Sequence, residues 1–369
     1  MISFELTEEQ TFIRESVRKF ARTELREIAR KCDEASNLSD ELLAKTWELA
    51  LTSSSIPERL GGAGLPHSCV TFAIVAEELA FGDAPLAAAA LAPSLFVNPL
   101  LDFGTREQQE ELLPLFTTNR YHAASLALHE PNFAFDPAKL RTVAEPRGKG
   151  YRISGSKCFV PFGDRASHFL VVARGDTDGL EGLEAFIVPR DAPGLRLSIE
   201  REPTLGLQAL PLARLELRGV EVGAEARLGG DRGIDGARLI NRCRLGSAAL
   251  AVGLSRAIQE FVIGYAKERV AFGQPIAQKQ VIAFTLADME IETHSMRHLV
   301  WKAASRLEQG RDATRASTLA QSYVSREAMT IADNGIQILG GHGYVRSYPV
   351  EMWYRNARAL TVLDGLVAL

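Results

Sequence analysis

Apolar residues recur at helical spacing through the first third of the chain. The segment LTEEQTFIRESVRKFARTEL places Thr7 and Gln10 at the spacing of an N-terminal capping box. The apolar face of this first predicted helix consists of Ile13, Val17, Phe20, Ala21 and Leu25. The same periodicity continues in SDELLAKTWELAL and TFAIVAEELAFG and ends in REQQEELLPLF, near Phe116. We therefore predict an N-terminal α-helical domain at residues 1–121.

The pattern changes at about residue 122. Short runs rich in Val, Ile and Phe, such as YRISGSKCFV, HFLVVARG, EAFIVPRD and ARLELRGVEV, alternate with Gly, Asp and Pro, which is typical of strands and turns. We predict a middle β-barrel domain at residues 122–228.

Helical periodicity returns after Gly229 and Gly230. It covers three long segments, at residues 233–266, 278–309 and 312–339, and Gly340 and Gly341 are stop signals for the last of them. We predict a C-terminal α-helical bundle at residues 229–369. The fold class is then α+β, and the helices of the two ends can pack as one bundle on the β-domain.

An uncharged run of apolar residues, APLAAAALAPSLFVNPLL, occupies residues 84–101. Pro85, Pro93, Pro99 and Asn98 interrupt it. Because prolines break a helix in its interior, we predict buried helical pieces rather than a membrane span.

Composition narrows the class of partner. The 369 residues are 46% hydrophobic and 24% charged, with a net charge of −4, so neither a nucleic-acid surface nor a polybasic membrane surface is indicated. The cysteines lie far apart, without metal-ligand spacing, at Cys32, Cys69, Cys158 and Cys243. We expect free thiols in a reducing cytoplasm and no metal. The start, MISFELTEEQ, lacks the basic and apolar regions of a signal peptide.

Common nucleotide and hydrolase motifs are absent from the sequence. There is no GxGxxG after a strand, no GxxxxGK[ST] and no nucleophile elbow. Local stretches in one order point elsewhere: IPERLGGAGL, FGTREQQEELLP, GYRISGSKCFV, YAKERVAFGQPI, LADM and QILGGHGYVRSYPVEMWYRNAR. Together they resemble the acyl-CoA dehydrogenase family over nearly the whole chain. The resemblance implies an FAD enzyme that desaturates acyl-CoA thioesters at Cα and Cβ and passes electrons to an electron-transfer flavoprotein or another acceptor.

The family's mechanism needs a carboxylate that removes the α-proton, in many members the Glu of a Tyr-Glu-Gly-Thr stretch. The segment NARALTVLDGLVAL places Asp364 at that Glu, so the resemblance implies that Asp364 is the base. One methylene fewer retracts the carboxylate by roughly 1–1.5 Å, and a misplacement of about 1 Å can cost about 10²-fold in rate. Nitroalkane oxidases, which belong to the same superfamily, use an Asp at the matching place. The alternative is a solvated Asp in a C-terminal turn.

Some members carry the base on a C-terminal helix instead. This chain has Cys243 there, in INRCRLG, so that alternative base is absent. The neighbouring Arg244 matches an Arg that the family keeps near the active site, although an ion pair of the bundle is equally consistent with it. Arg244 and Gly365 are our candidate substrate-binding residues.

The resemblance implies two groups of FAD-binding residues. The first reaches across a dimer interface to the ADP half of a neighbouring subunit's FAD and comprises Arg269, Phe272, Gln280, Gln337, Gly340 and Gly341. Arginine pairs with pyrophosphate through two donors, and glycine allows close backbone approach. A salt-bridged Arg and a helix-capping glycine pair are the alternative interpretation.

The second group surrounds the flavin ring and is altered here. The family's Thr-Glu-Pro-Gly-x-Gly-Ser-Asp loop reads HEPNFAFD, with His129 in place of Thr, Asn132 and Ala134 in place of the glycines, and Phe135 in place of Ser. Phe159 keeps the aromatic residue that packs on the ring, while Pro161 replaces a hydroxyl donor. His129 can donate to the flavin, or it can be an ordinary loop histidine.

Two functional hypotheses follow. The first is an active FAD-dependent acyl-CoA dehydrogenase, a homodimer or homotetramer, with Asp364 as base. The second is a partner subunit without turnover of its own, which completes the FAD site of a sister chain in a heterotetramer. The retained carboxylate at position 364 favours the first.

Overall fold

The computed structural model describes residues 5–198 and 201–369. Within these ranges the chain begins with α1 (Glu8–Phe20), α2 (Arg26–Ala35), α3 (Asp40–Glu48), α4 (Cys69–Gly82), α5 (Ala84–Leu91), α6 (Ser94–Phe103) and α7 (Arg106–Leu112). The side chain of Thr7 accepts from the Gln10 amide, and Gln10 returns the bond, as the capping box predicts. The first helix is interrupted by a π-helical turn at Ala21–Leu25, which the sequence did not predict.

The π-helical turn lies where the first helix crosses α4. A Cβ placed on Gly82 would be 2.5 Å from the carbonyl oxygen of Ala21, so the two backbones are in direct contact. Glycine at position 82 is what allows this crossing.

The middle of the chain forms one sheet of β1 (Ala124–Ala127), β2 (Val143–Arg147), β3 (Gly150–Pro161), β4 (His168–Arg174), β5 (Leu183–Pro189), β6 (Leu195–Leu197) and β7 (Leu212–Gly223). The order is β1-β4-β2-β3-β7-β6, and β5 also pairs with β4, in antiparallel orientation. Only two pairings, β1 with β4 and β2 with β4, are parallel among the described strands. The longest pairing, β3 with β7, is antiparallel and carries two register shifts.

The last part of the chain is helical again, with α8 (Gly236–Glu268), the hairpin β8 (Val270–Ala271) and β9 (Gln274–Pro275), α9 (Gln280–Glu308), α10 (Thr314–Leu339) and α11 (Val350–Leu360). Helix α8 packs against α4, α9 and α10. At the α4 crossing, a Cβ on Gly253 would lie 2.1 Å from the carbonyl oxygen of Glu77, so glycine sets the close approach there. The helices of both ends therefore share one core, and the predicted α+β fold is confirmed.

The uncharged run forms α5 and α6, whose residues are almost all buried. Among the described residues no single helix is long and apolar enough to cross a membrane. Of the described helices, only α5 and α6 together, which are bent by 43° relative to each other, reach the required length and apolar composition.

Candidate active site

A cavity of about 820 Å³ opens where the sheet meets the C-terminal helices. Its walls come from the segment after β1, the end of β3, the loop before β7, helix α8 and the segment after α11. The volume lies within the range of small-molecule and cofactor sites. The sequence-predicted residues that line it are Asp364, Arg244, Phe159 and His129.

Asp364 lies in the segment after α11, and its side chain is 21% exposed. Its Oδ1 accepts a hydrogen bond from Gln321 Nε2 at 3.0 Å. Arg244 Nε lies 3.8 Å from Oδ2. Burial raises the pKa of Asp364, and the charge of Arg244 partly opposes this. The structure therefore excludes the alternative of a freely solvated Asp.

The backbone around Asp364 is fixed by its neighbours. Gly365 has φ +77°, in the left-handed region that favours glycine, and an added Cβ would lie 3.3 Å from Leu128 Cδ2. On the other side, Ser247 Oγ donates to the Leu363 carbonyl at 3.0 Å. The turn that carries Asp364 is thus held between β1 and α8.

Arg244 lies on α8 and lines the same cavity. Its Nη1 donates to Thr318 Oγ1 of α10 at 3.1 Å. Arg244 can act as an active-site residue and as an ion-pair partner in the helical bundle, because its contact with Asp364 lies in the cavity wall. Cys243 is fully buried beside it; burial and the nearby Asp364 charge raise the pKa of its thiol, so it is a poor proton acceptor.

Phe159 has φ +53°, which is unusual for a residue with a side chain. It lies at the register shift between Lys157 and Val160, where β3 is irregularly paired with β7. Such a bulge redirects a side chain, and here Phe159 lines the cavity. Strained backbone of this kind costs about 1–3 kcal/mol and is concentrated at functional sites.

His129 is buried at 7% exposure. Burial lowers the pKa of His129 to about 4, and a hydrogen bond with the Asp364 backbone opposes this. Its Nε2 is buried without a hydrogen-bond partner. The His129 ring is therefore neutral, and it leaves one polar atom unpaired in the cavity wall.

A buried ion pair supports this wall from behind. Lys157 Nζ lies 3.1 Å from Glu130 Oε1, with side-chain exposures of 0% and 4%. Glu130 also accepts from the amides of Arg141 and Thr142, at 2.7 and 2.8 Å. Burial lowers the pKa of Lys157 to about 8. Sequence reasoning missed this pair and Gln321, because their partners are distant in the chain.

The second predicted group lies elsewhere. Its members are exposed at the ends of α8, α9 and α10 and do not line the cavity: Arg269, Phe272, Gln280, Gln337, Gly340 and Gly341. Tyr265 Oη lies 2.8 Å from His342 Nδ1, which ties the end of α8 to the segment after α10. Within the chain, a Cβ on Gly340 or Gly341 would meet nothing within 4 Å, although Gly340 has φ +56°.

Phe272 is the most exposed member of that group. It lies at the tip of the β8–β9 hairpin with φ +54°, and its ring is 94% exposed. Within one chain, an exposed ring does not compensate the cost of the strained backbone. Burial of the ring against a partner would compensate it.

Family models match the chain in three parts. They are described as acyl-CoA dehydrogenase N-terminal domain at residues 7–120, middle domain at 125–220 and C-terminal domain at 234–367. An acyl-CoA dehydrogenase of Bacillus subtilis (strain 168) is 34% identical over 366 residues, which cover 98% of this chain and 95% of that protein.

Solved structures of acyl-CoA dehydrogenases are also similar to this chain. Butyryl-CoA dehydrogenase from Megasphaera elsdenii is 30% identical, with a TM-score of 0.89 over 99% of this chain and 96% of the other. A glutaryl-CoA dehydrogenase from Mycobacterium smegmatis, in complex with FADH2, is 26% identical, with a TM-score of 0.86 over 98% and 92%.

Proposed function

Since this chain belongs to the acyl-CoA dehydrogenase family, with all three of its domains, we propose that Asp364 is the base that removes the α-proton of an acyl-CoA thioester. The resemblance seen in the sequence is confirmed, and the chain is an oxidoreductase of the type that acts on CH–CH bonds. FAD, the cofactor of this family, is likewise confirmed. The observation that carries the proposal is the solvent-shielded Asp364 carboxylate in the wall of the 820 Å³ cavity, which Phe159 also lines.

The residues in the cavity fit a flavin ring. Phe159 offers an aromatic face, and the unpaired Nε2 of His129 offers a polar atom that needs a partner. When bound, FAD supplies the two-electron acceptor for the hydride that leaves Cβ. We assign Phe159 and His129 to the ring of the same subunit.

The altered loop keeps a defined shape without its glycines. Asn132 Oδ1 accepts from the Ala134 amide at 3.2 Å, which forms a local turn. Phe135 turns back onto His129, while Phe133 is fully exposed at the rim of the cavity. The family's glycines are thus replaced by a side-chain-stabilised turn, and the cavity stays open.

In the proposed reaction the Cα–H bond breaks and its proton goes to the Asp364 carboxylate. The electron pair of the broken Cα–H bond forms the Cα=Cβ double bond. At the same time the Cβ–H bond breaks, and its hydrogen leaves with both electrons as a hydride. Burial raises the pKa of Asp364, which makes it a stronger base toward a weak carbon acid. The positive charge of Arg244 opposes that rise.

The exposed second group supports an assembly of at least two copies. We propose that Arg269, Gln337 and Gly340 of one subunit hold the ADP half of the FAD of the other. Exposed apolar residues continue from this group along α9, at Val281, Phe284 and Ile291, which are 71%, 60% and 60% exposed. Such a surface is typical of an interface. We propose that the chain forms a homodimer or homotetramer in the cytoplasm and passes its electrons to an electron-transfer flavoprotein or another acceptor.

The test is reduction of bound flavin by substrate. The protein purified alone should carry FAD, and its flavin absorbance should bleach under anaerobic conditions with one of a panel of short, long, branched and ring-bearing acyl-CoAs. Asp364→Asn should bind FAD and acyl-CoA but lose bleaching by about 10²–10⁴-fold, as expected for loss of a general base. Asp178→Asn, at a side chain that is 91% exposed, is the matched control.

Asp364→Glu tests the reach of the base. It should keep or raise activity if the cavity has room for the longer side chain, and lower it if the backbone already brings Asp364 close to the substrate. A colourless protein that gains FAD only with a sister chain would overturn the proposal in favour of the partner subunit. So would a wild type that no acyl-CoA bleaches and that Asp364→Asn leaves unchanged.

A further inference from the structure

The Asp364 carboxylate is also held from helix α10, which no sequence motif connects with it. Gln321 lies on α10, 43 residues before Asp364, and its Nε2 donates to Oδ1 at 3.0 Å. Arg244 Nε is 3.8 Å from Oδ2, which is too far for a hydrogen bond. Of the described side chains, Gln321 therefore supplies the direct hydrogen bond to this carboxylate, and Arg244 supplies charge.

Helix α10 also fixes Arg244. Thr318, one turn before Gln321, accepts from Arg244 Nη1 at 3.1 Å and donates its own hydroxyl to the Thr314 carbonyl at 2.8 Å. Residues three apart lie on one face of a helix, so the same face of α10 holds both Arg244 and Asp364. The helix is a firm support, since it packs against α8, α9 and α11.

We propose that Gln321 is a positioning residue for the base: its amide fixes Asp364 Oδ1 and leaves Oδ2 to accept the α-proton. This inference rests on the proposed function of Asp364. It explains how a side chain one methylene shorter than Glu can keep a fixed orientation, because a rigid helix holds one of its oxygens. Precise orientation matters, since a misplacement of about 1 Å can cost about 10²-fold in rate.

Several titratable and charged groups of the described residues line the cavity together with Asp364: His129, Glu130 and Asp136 after β1, Cys158 of β3, Arg214 of β7, Arg244 of α8 and Arg358 of α11. Behind the wall, the buried thiol of Cys243 is close enough to feel the Asp364 charge, and Lys157 is paired with Glu130. Gln321 is neutral, so replacing it changes no charge around the carboxylate. An N–H donor stabilises the ionised form of a carboxylate and so lowers its pKa. Loss of the Gln321 donor should raise the pKa of Asp364.

The experiment compares Gln321→Leu and Gln321→Lys in the FAD-loaded protein. Gln321→Leu removes the donor at similar size, and the acid limb of the pH profile for single-turnover flavin reduction should move up by about one pH unit, with about a 10-fold lower plateau. Gln321→Lys keeps a donor and adds a charge, so its limb should move in the opposite direction, to lower pH. Gln309→Leu, at an exposed position after α9, is the matched control and should leave the profile unchanged.

A second readout does not depend on turnover. The carboxyl stretch of Asp364, identified in pH-difference infrared spectra by its loss in Asp364→Asn, should titrate at higher pH in Gln321→Leu than in the wild type. A lower rate with no movement of either titration would mean that Gln321 is merely structural and would overturn the proposal, as would unchanged profiles in both variants. If no acyl-CoA reduces the flavin of the wild type, the proposed function fails, and the infrared titration still decides whether Gln321 holds Asp364.

Discussion

The ring of His129 packs on the ring of Phe135, with centroids 4.2 Å apart and planes tilted by 31°. Both residues belong to the loop that departs from the family's glycine-rich pattern. The pair meets Phe159 edge-on, with the His129 and Phe159 centroids 6.3 Å apart. The substitutions in this loop are therefore coupled, since the aromatic ring at position 135 holds the imidazole at position 129 against the cavity.

This coupling predicts a specific role for one nitrogen of His129. His129→Asn keeps a polar atom near Nδ1 and removes the unpaired Nε2. We expect the Kd for FAD to rise by about 2–10-fold, the value of one neutral hydrogen bond. Equilibrium dialysis of FAD measures it, with the exposed His298→Asn as the control. An unchanged Kd would make His129 an ordinary loop histidine.

Phe159 allows the ring contact to be separated from the backbone. Phe159→Ala should weaken FAD retention and shift the flavin absorbance, because the aromatic contact is lost. Phe159→Gly should do the same to the flavin. It should nevertheless be more stable than the Ala variant by about 1 kcal/mol in urea unfolding, since glycine relieves the positive φ of +53°. An unchanged flavin spectrum in both variants would assign Phe159 to the ordinary core.

Arg269 tests the proposed contact between subunits. Arg269→Ala should remove a charge-assisted bond to the pyrophosphate, worth about 1.5–3 kcal/mol, and so release FAD without unfolding the chain. Lys267→Ala, which removes an exposed cation in the last turn of α8, two residues before Arg269, is the control. The ratio of FAD to protein after gel filtration measures the effect. Full occupancy in the Arg269 variant would refute the assignment.

Sequence patterns predicted the elements well where the signal is local. The capping box at Thr7 and Gln10 forms as expected, and α8, α9 and α10 begin and end within three residues of their predicted bounds. The π-helical turn at Ala21–Leu25 was missed, because it depends on the crossing with Gly82 of α4.

The sequence predicted only those residues of the candidate site that belong to a recognisable motif. Asp364, Arg244, Phe159 and His129 do line one cavity. Gln321 was not found, because a glutamine on a helix has no pattern that names its partner 43 residues later.

Asp364 should also limit stability at neutral pH. Burial raises the pKa of Asp364 in the folded chain above its unfolded pKa of about 3.9. At a pH between these two pKa values, the native state binds more protons than the unfolded state. Stability is therefore lost as the pH rises through this window. Asp364→Asn removes the ionisation, and its amide oxygen can still accept from Gln321, so the variant should melt at a higher temperature than the wild type at pH 7.

The gain should shrink toward pH 4, whereas Asp178→Asn, at an exposed position, should show no such trend. Melting temperatures at several pH values check this. A loss of stability that does not vary with pH would mean that the contacts with Gln321 and Arg244 outweigh the burial of the charge.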